Sequence, residues 1–379
     1  MLDHSLIATE FSEQSNLIYL NHAAVAPWPR RTATAVCAFA QENFEQGAKS
    51  YPRWLEIETQ TRQFLARLIN APSVEDIALL KNTSEGLSLI AYGLEWQAGD
   101  NIVISDEEFP SNRVVWQSLA PLGVEVREVN LRQAQNPEQA LLNATDKHTR
   151  LLSISSVQYA SGLRMNLRAL GEQCHRQQIL FCIDAIQSLG ALDFDAQACH
   201  ADFVVADGHK WMLGPEGVAL FYVREELRSQ LKLHEFGWHM LEHSGDYQRR
   251  QWQIATTARR FECGSPNMLG IHALHASLSL LLEIGIPQIE AELIERSCYL
   301  IELIHVAPEL RLLTCDTPDR ISGIVSFAHK TTIPETVQKK LMQDGVICAA
   351  RGAGVRFSPH FYTPLPQLAQ AVKLARLTR

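Results

Sequence analysis

The chain has 379 residues, too long for one ordinary domain and comfortable for two, and its 46% hydrophobic and 20% charged residues suit a large buried core. A formal net charge of −8 leaves no basic stripe for nucleic acid, and no apolar run reaches the roughly 18 residues of a membrane helix. Met1–Glu10 lacks the cationic start and apolar stretch of a secretory signal, and eight cysteines without C-x-x-C spacing read as reduced thiols, so the cytoplasm is the expected compartment.

Along the chain, short apolar runs alternate with helical patterns, without an internal repeat or a low-complexity linker. The pivot Tyr19–Pro29 follows an N-terminal segment, 1–20, expected to pack with the C-terminal part. Strands are predicted at Asp76–Leu80, Asn101–Ser105, Val124–Val129, Arg150–Ser155, Ile179–Ile183, Phe203–Ala206 and Val218–Tyr222. Helices are predicted between several of them, at Ser84–Glu95, Arg113–Ala120 and Leu167–Gln177. Such alternation implies an α/β fold with a mostly parallel seven-stranded sheet covered by helices. Ligands of such sheets bind beyond the carboxyl ends of the strands. The texture changes after about residue 265: helices are predicted at Ile271–Ile284 and Pro287–Leu303, strands at Ile321–Phe327 and Val346–Ala349, and a last helix closes the chain. The expected division is a large domain, 21–264, and a smaller α+β domain, 265–379.

Four segments carry chemistry. In ADFVVADGHKWMLGPEGVALFYV (Ala201–Val223) a buried strand ends in a polar turn, Asp207–Gly208–His209, that presents Lys210 at the mouth of the sheet. A lone lysine at a strand end is ordinarily solvated, but one flanked by Trp211 and Met212 is partly desolvated, which lowers its pKa and lets it form a Schiff base with an aldehyde. In ILFCIDAIQSL (Ile179–Leu189) a strand delivers Asp184, with Gln187 one turn on. A carboxylate buried there needs a cationic or N–H partner, and a pyridine nitrogen would supply one; the plainer reading is a helix cap. In IALLKNTSEGLSLIAYGLEW (Ile77–Trp96) Thr83, Ser84 and the free N–H groups of a first helical turn suit a phosphate. The alternative there is a capping box on Thr83, imperfect because Gly86 stands where a Glu would, and Lys81 is expected to face solvent. In ISDEEFPSNRVVW (Ile104–Trp116) the rigid Phe109–Pro110 turn could lay a ring on a planar cofactor.

In this order, from YLNHAAVAP (Tyr19–Pro27) through TSEG, DAIQ, the GHK turn with its downstream GPEG, and FECGSPN (Phe261–Asn267) to the arginine near the end, the chain resembles the class V aminotransferases. These are fold-type-I pyridoxal-phosphate (PLP) enzymes that include cysteine desulfurases, kynureninase and isopenicillin N epimerase. The resemblance implies a PLP-dependent transferase fold of the aspartate-aminotransferase type and pyridoxal 5'-phosphate as cofactor. It implies that Lys210 holds the cofactor and serves as general base, that Asp184 pairs with the pyridine nitrogen, and that Gln187 bonds the ring hydroxyl. Thr83, Ser84 and His209 would bind the phosphate. Asp207 stands where the family often has a Ser or Thr on the phosphate, and a carboxylate there would repel it. Phe109 would stack on the ring, Ser265 would reach the phosphate of a second subunit in a homodimer, Arg356 would grip the substrate carboxylate, and Tyr159 would lie near the substrate. No metal is expected.

The reaction is set by the pocket. Desulfurases carry a nucleophilic cysteine on a loop just before the carboxylate-binding arginine; here Arg351-Gly-Ala-Gly-Val-Arg356 is short and has none, and Cys348 sits in an apolar strand pattern. Persulfide chemistry is therefore disfavoured, which leaves transamination, C–S or β-elimination, or epimerisation and racemisation of an amino acid. A desulfurase-like protein without the usual cysteine, or a binding scaffold that has lost catalysis, is the competing reading.

Overall fold

The computed structural model describes residues 3–11 and 17–378. Met1 and Leu2 of the stretch read for a secretory signal, residues 12–16 of the N-terminal segment, and Arg379 lie outside the described residues. A short helix α1 (His4–Glu10), capped by the Asp3 carboxylate, precedes β1 (Ile18–Tyr19). Two long helices follow, α2 (Arg30–Gln46) and α3 (Tyr51–Leu68), which the sequence patterning did not mark. In α2 only Thr32 is fully buried, so no clear apolar stripe was there to read.

The central sheet is then laid down as β2 (Ile77–Leu80), β3 (Asn101–Ser105), β4 (Glu125–Val129), β5 (Thr149–Ser155), β6 (Leu180–Asp184), β7 (Phe203–Asp207) and β8 (Ala219–Val223). Helices α4 (Thr83–Gly93), α5 (Ser111–Gln117), α6 (Pro137–Asn143) and α7 (Leu167–Gln177) lie between the strands, and a short α8 (Glu225–Arg228) follows them. The strand order is β2-β8-β7-β6-β5-β3-β4, and β8 alone runs against the other six. Every predicted strand of the large domain is found, within two residues at each end.

Most of these strands are buried along their whole length, and the core that each side chain enters alternates with the period of two that a pleat imposes. Leu152, Ile154, Phe181, Ile183, Val204 and Ala206 point into one core; Leu151, Cys182, Phe203 and Val205 point into the other. On the second face α4 lies so close that a Cβ on Gly86 would come within 2.8 Å of Val205 Cγ1. That approach explains why glycine, and not the glutamate of a capping box, occupies position 86.

The remaining elements are α9 (Met268–Ile284), α10 (Ile286–His305), β9 (Leu310–Leu312), β10 (Val325–His329), α11 (Pro334–Gln343), β11 (Val346–Ile347), β12 (Ala349–Arg351), β13 (Gly354–Phe357) and α12 (Leu365–Arg376). Although α9 belongs to the segment expected in the smaller domain, its Ile271, Leu274, Leu278 and Leu281 pack into the same core as Leu152, Phe181 and Val204 of the central sheet. A separate core joins Ile18 and Leu20 to Leu300, Ile301 and Ile304 of α10, and β12-β13-β10-β9 form its antiparallel sheet. Where a single strand was predicted at Val346–Ala349, the chain changes partners at Cys348: β11 pairs with β1, and β12 with β13. The strand predicted from Ile321 starts only at Val325, because Ser322 is diverted to donate to the Gly162 carbonyl, at 2.8 Å. Among the described residues no single helix is long and apolar enough to cross a membrane.

Candidate active site

Strand β7 stops at Asp207, and the next three residues make the turn that presents Lys210. The turn is pinned by Gly208 N–H to the Val218 carbonyl (2.9 Å) and Gly214 N–H to the Gly208 carbonyl (2.9 Å). Leu213 closes it at φ +58°, a left-handed conformation that a branched side chain takes only when its surroundings hold it there. The restraints are Leu213 N–H on the Lys210 carbonyl (3.0 Å) and Ser277 Oγ donating to the Leu213 carbonyl (2.7 Å). Lys210 is consequently buried, at 9% exposure, with no ion pair among the described residues. Burial pushes its ammonium down, opposed by the nearby charge of Asp184 and reinforced by Arg356.

Asp184 ends β6 at 2% exposure. Burial pushes its carboxyl up, while the Ile186 N–H on Oδ1 (3.0 Å) and the charge of Lys210 pull it back. Gln187 donates from Nε2 to the Ala23 carbonyl (3.1 Å) and accepts the indole N–H of Trp211 (2.8 Å). The residue after Lys210 is thereby tied to the turn after Asp184.

Helix α4 is capped by Asn82, not by Thr83. The Asn82 side-chain Oδ1 accepts Glu85 N–H (2.9 Å), and the Glu85 carboxylate in turn accepts Lys81 N–H (2.6 Å). Released from capping, the buried Thr83 hydroxyl accepts Asp207 N–H (3.1 Å), while Ser84 Oγ reaches Ser111 Oγ (2.9 Å). Thr83 and Ser84, whose N–H groups open the first turn of α4 without an intrahelical acceptor, both line the cavity. Lys81 is exposed and paired with Glu85 at 3.0 Å, as expected of a solvent-facing lysine. The Asp207 carboxylate lies 3.0 Å from His209 Nδ1, yet neither atom has hydrogen-bond geometry to any partner.

Phe109 is 42% exposed, edge-on to Tyr159 with ring centroids 5.2 Å apart, and Lys210 Nζ sits 5.6 Å from the Phe109 centroid. Arg356, on β13, is 1% exposed and has no carboxylate partner among the described residues. Its Nη1 donates to the Tyr159 carbonyl (2.8 Å) and Nη2 to Asn21 Oδ1 (3.4 Å), and Nε has no partner. Burial, with Arg351 beside it, pushes this guanidinium down to about 9.

These side chains converge on one cavity of about 280 Å³, at the small end of ligand pockets. Thr83, Ser84, Phe109 and Tyr159 line it together with Asp184, Gln187, Asp207, His209, Lys210 and Arg356. Ser265 does not: it is exposed in a separate depression with Lys81 and Cys263. The sequence reading missed Ala23–Val25, Asn82, Ser111, Glu216 and Arg351, which also line the cavity. Asn82 was findable, as an asparagine three residues before Glu85 is a capping signal. Ala23–Val25 arrive only by a long-range contact, Ala26 N–H on the His209 carbonyl at 2.9 Å.

The donor set suits a pyridine aldehyde phosphate: an amine for the aldehyde, a buried carboxylate for the ring nitrogen, and a helix N-terminus for the phosphate. Among the described residues one other cluster of titratable side chains is tight enough for a metal ion, Glu58, His239 and Glu262, with ligand atoms within 4.8 Å of one another. There the Arg62 guanidinium already bonds both carboxylates and supplies the positive charge.

Residues 18–371 match the family model described as aminotransferase class-V. The chain is 29% identical over 343 residues to a probable cysteine desulfurase of Methanothermobacter thermautotrophicus, covering 88% of this chain and 84% of that one. It is 31% identical over 326 residues to a cysteine desulfurase of Klebsiella pneumoniae, covering 82% and 77%. Among solved structures it resembles an apo cysteine desulfurase from Thermococcus onnurineus NA1, at 23% identity and a TM-score of 0.88 over 98% of this chain and 97% of that one. A cystine C–S lyase in complex with its product, cysteine persulfide, is similar at 23% identity and a TM-score of 0.89, over 95% and 98%. The fold is that of the PLP-dependent enzymes of type I, and the chain belongs to the class-V aminotransferase family, enzymes that act on amino acids with pyridoxal 5'-phosphate.

Proposed function

We propose that Lys210 is the lysine that holds the cofactor and that the protein catalyses transamination or C–S/β-elimination of an amino acid without passing sulfur through a protein thiol. The observation that carries the reading is a buried, unpaired Lys210 sharing a strand-end cavity with the buried Asp184. When bound, the cofactor supplies an electron sink for the substrate's α-carbon. Asp184 would keep the ring nitrogen protonated, and the Lys210 amine would take the substrate's α-proton and return it as general acid. The N-terminus of α4, with Thr83, Ser84 and His209, holds the phosphate; Gln187, which has one amide hydrogen left after Ala23, serves the ring hydroxyl. In this reading the Asp207 carboxylate attends to the His209 imidazole and not to the phosphate. Arg356, lacking any carboxylate of the chain's own, receives that of the substrate, and Phe109 and Tyr159 shield the reacting carbon from water.

A persulfide route needs a thiolate that can reach the substrate. Among the described residues no cysteine lines the cavity. Cys348 is 3% exposed, and burial pushes its thiol up to about 12. We further infer a homodimer, with Ser265 directed at the second subunit's phosphate. In support, Ser265 is exposed, a Cβ on Gly264 would meet nothing within 4 Å, and α2 buries almost nothing within the chain.

Borohydride reduction of the loaded protein followed by peptide mapping is expected to find the pyridoxyl group on Lys210, and label on Lys81 or on no lysine would overturn the reading. Incubation with cysteine is expected to leave no persulfide, with any sulfur released as free sulfide beside pyruvate and ammonia. Alanine as product, with a persulfide trapped on Cys348, would return the chain to desulfurase chemistry. Light scattering should give a dimer, and a stable monomer at full cofactor occupancy would refute the shared site.

A further inference from the structure

Arg351 ends β12 and pairs across the hairpin with Gly354, which leaves only Gly352 and Ala353 in the turn. Two steps back along β12, Ala349 pairs with Arg356. Side chains alternate along both strands, so Arg351 and Arg356 share one face as diagonal neighbours, with Cα atoms roughly 7–8 Å apart and β-carbons somewhat closer. Both line the cavity that contains Lys210; Arg356 is buried in its wall, and Arg351 is exposed at its mouth. The geometry offers two guanidinium forks to one small ligand.

The two are also alike in lacking an acidic partner. The one hydrogen bond of the Arg351 side chain goes to the neighbouring Ala350 carbonyl, at 2.9 Å, and no carboxylate pairs with it among the described residues. Of the other arginines of the adjoining groove, Arg132 is neutralised by Glu107 at 2.5 Å and Arg320 by Glu138, while the exposed Arg311, without an ion pair among the described residues, does not line the Lys210 cavity. Glu216 is the carboxylate at the exposed rim of the same cavity, and it makes no ion pair with Arg351. The positive charge of Arg351 is felt inside, where it acts on both Arg356 and Lys210. An unpaired arginine on an open surface means little. One that shares a hairpin face and a cavity with a buried, equally unpaired arginine presents a second anion site beside the first.

We propose that Arg351 determines specificity by receiving a second anionic group, a carboxylate or a sulfur or phosphorus oxyanion, at the side-chain end of the amino-acid substrate. This rests on the reading above, in which Arg356 takes the α-carboxylate. Substrates would then be acidic amino acids or their oxyanion analogues, held at both ends by planar forks that match oxyanion geometry.

The test separates anion recognition from amine chemistry. Calorimetry on the cofactor-loaded protein with glutarate and succinate, against butyrate, needs no amine in the ligand. The dicarboxylates are expected to bind roughly ten- to a hundred-fold tighter than butyrate, the range of one charge-assisted hydrogen-bonded contact. In Arg351→Ala and Arg351→Gln that ratio should collapse toward one, and Arg351→Lys should recover part of it. Titrating the cofactor absorbance with L-aspartate, L-glutamate, L-cysteine sulfinate and O-phospho-L-serine, against L-alanine, then tells which oxyanion is preferred. Equal affinity of the wild type for glutarate and butyrate, or a ratio unmoved by Arg351→Ala, would overturn the proposal. Failure of the underlying reading has its own signature: no amino acid, neutral or acidic, perturbs the absorbance, while the glutarate-to-butyrate ratio still decides the role of Arg351.

Discussion

Replacing Glu108 by alanine should unfold the wall of the active site before anything else. This carboxylate is fully enclosed and collects five donors: Ser105 Oγ (3.1 Å), Asn112 Nδ2 (2.7 Å), Ser155 N–H (3.0 Å), Ser155 Oγ (2.5 Å) and Gln158 Nε2 (2.9 Å). The two hydroxyls can turn elsewhere, but the backbone N–H and the two amide groups are fixed, and each buried donor left unmet costs about 1–3 kcal/mol. Three such donors give a loss of roughly 3–9 kcal/mol, a large part of the 5–15 kcal/mol that holds a typical domain together. Glu108→Gln keeps the shape but turns an amide group toward other donors, so it should lose about half as much. Because Glu108 adjoins Phe109 and Gln158 adjoins Tyr159, cofactor affinity should fall in step. The assay is urea unfolding of each variant combined with hydrogen exchange over residues 153–159. A loss under about 1 kcal/mol in Glu108→Ala, with protection of that stretch unchanged, would refute the reasoning.

Asp184→Asn should still take up cofactor but lose most turnover, since a neutral partner no longer holds the ring proton; undiminished turnover would remove Asp184 from the mechanism. Arg62→Ala strands the buried carboxylates of Glu58 and Glu262, and should cost about 3–5 kcal/mol in denaturant unfolding. Burial holds His22 down to about 4, neutral between the Ser358 carbonyl (2.8 Å) and the Tyr362 hydroxyl (2.7 Å). A depressed folded pKa means stability that is present above the unfolded value, near 6.5, and lost as pH falls toward 4, at up to about 1.4 kcal/mol per pH unit for this one group. His22→Gln should flatten the midpoint-against-pH curve in that window, and an unchanged slope would exclude His22 as a contributor. In native alkylation at pH 8 the exposed Cys37 should label while Cys348 stays unmodified until unfolding, its thiolate fraction being roughly one part in ten thousand; prompt labelling of Cys348 would undo the case against a persulfide.

Much of this molecule was legible in one dimension. Buried parallel strands are short apolar runs bounded by turn residues, and residues singled out at or beyond their carboxyl ends line one cavity: Thr83 after β2, Phe109 after β3, Tyr159 after β5, Asp184 on β6 and Lys210 after β7. Local grammar was enough there, because strand period and turn chemistry are properties of neighbouring residues. What depended on distant residues was not legible. The cap of α4 falls on Asn82 because Thr83 is claimed by Asp207, 124 residues away in sequence. Helix α9 follows the stretch at which the texture changes, yet it packs on the first core because its apolar residues complete that face. The strand at Val346 divides because its two halves find partners in different sheets. The pairing of Arg351 with Arg356 on one hairpin face was invisible for the same reason. Four residues lie between them in sequence, and only the register of β12 against β13 turns that separation into a shared wall.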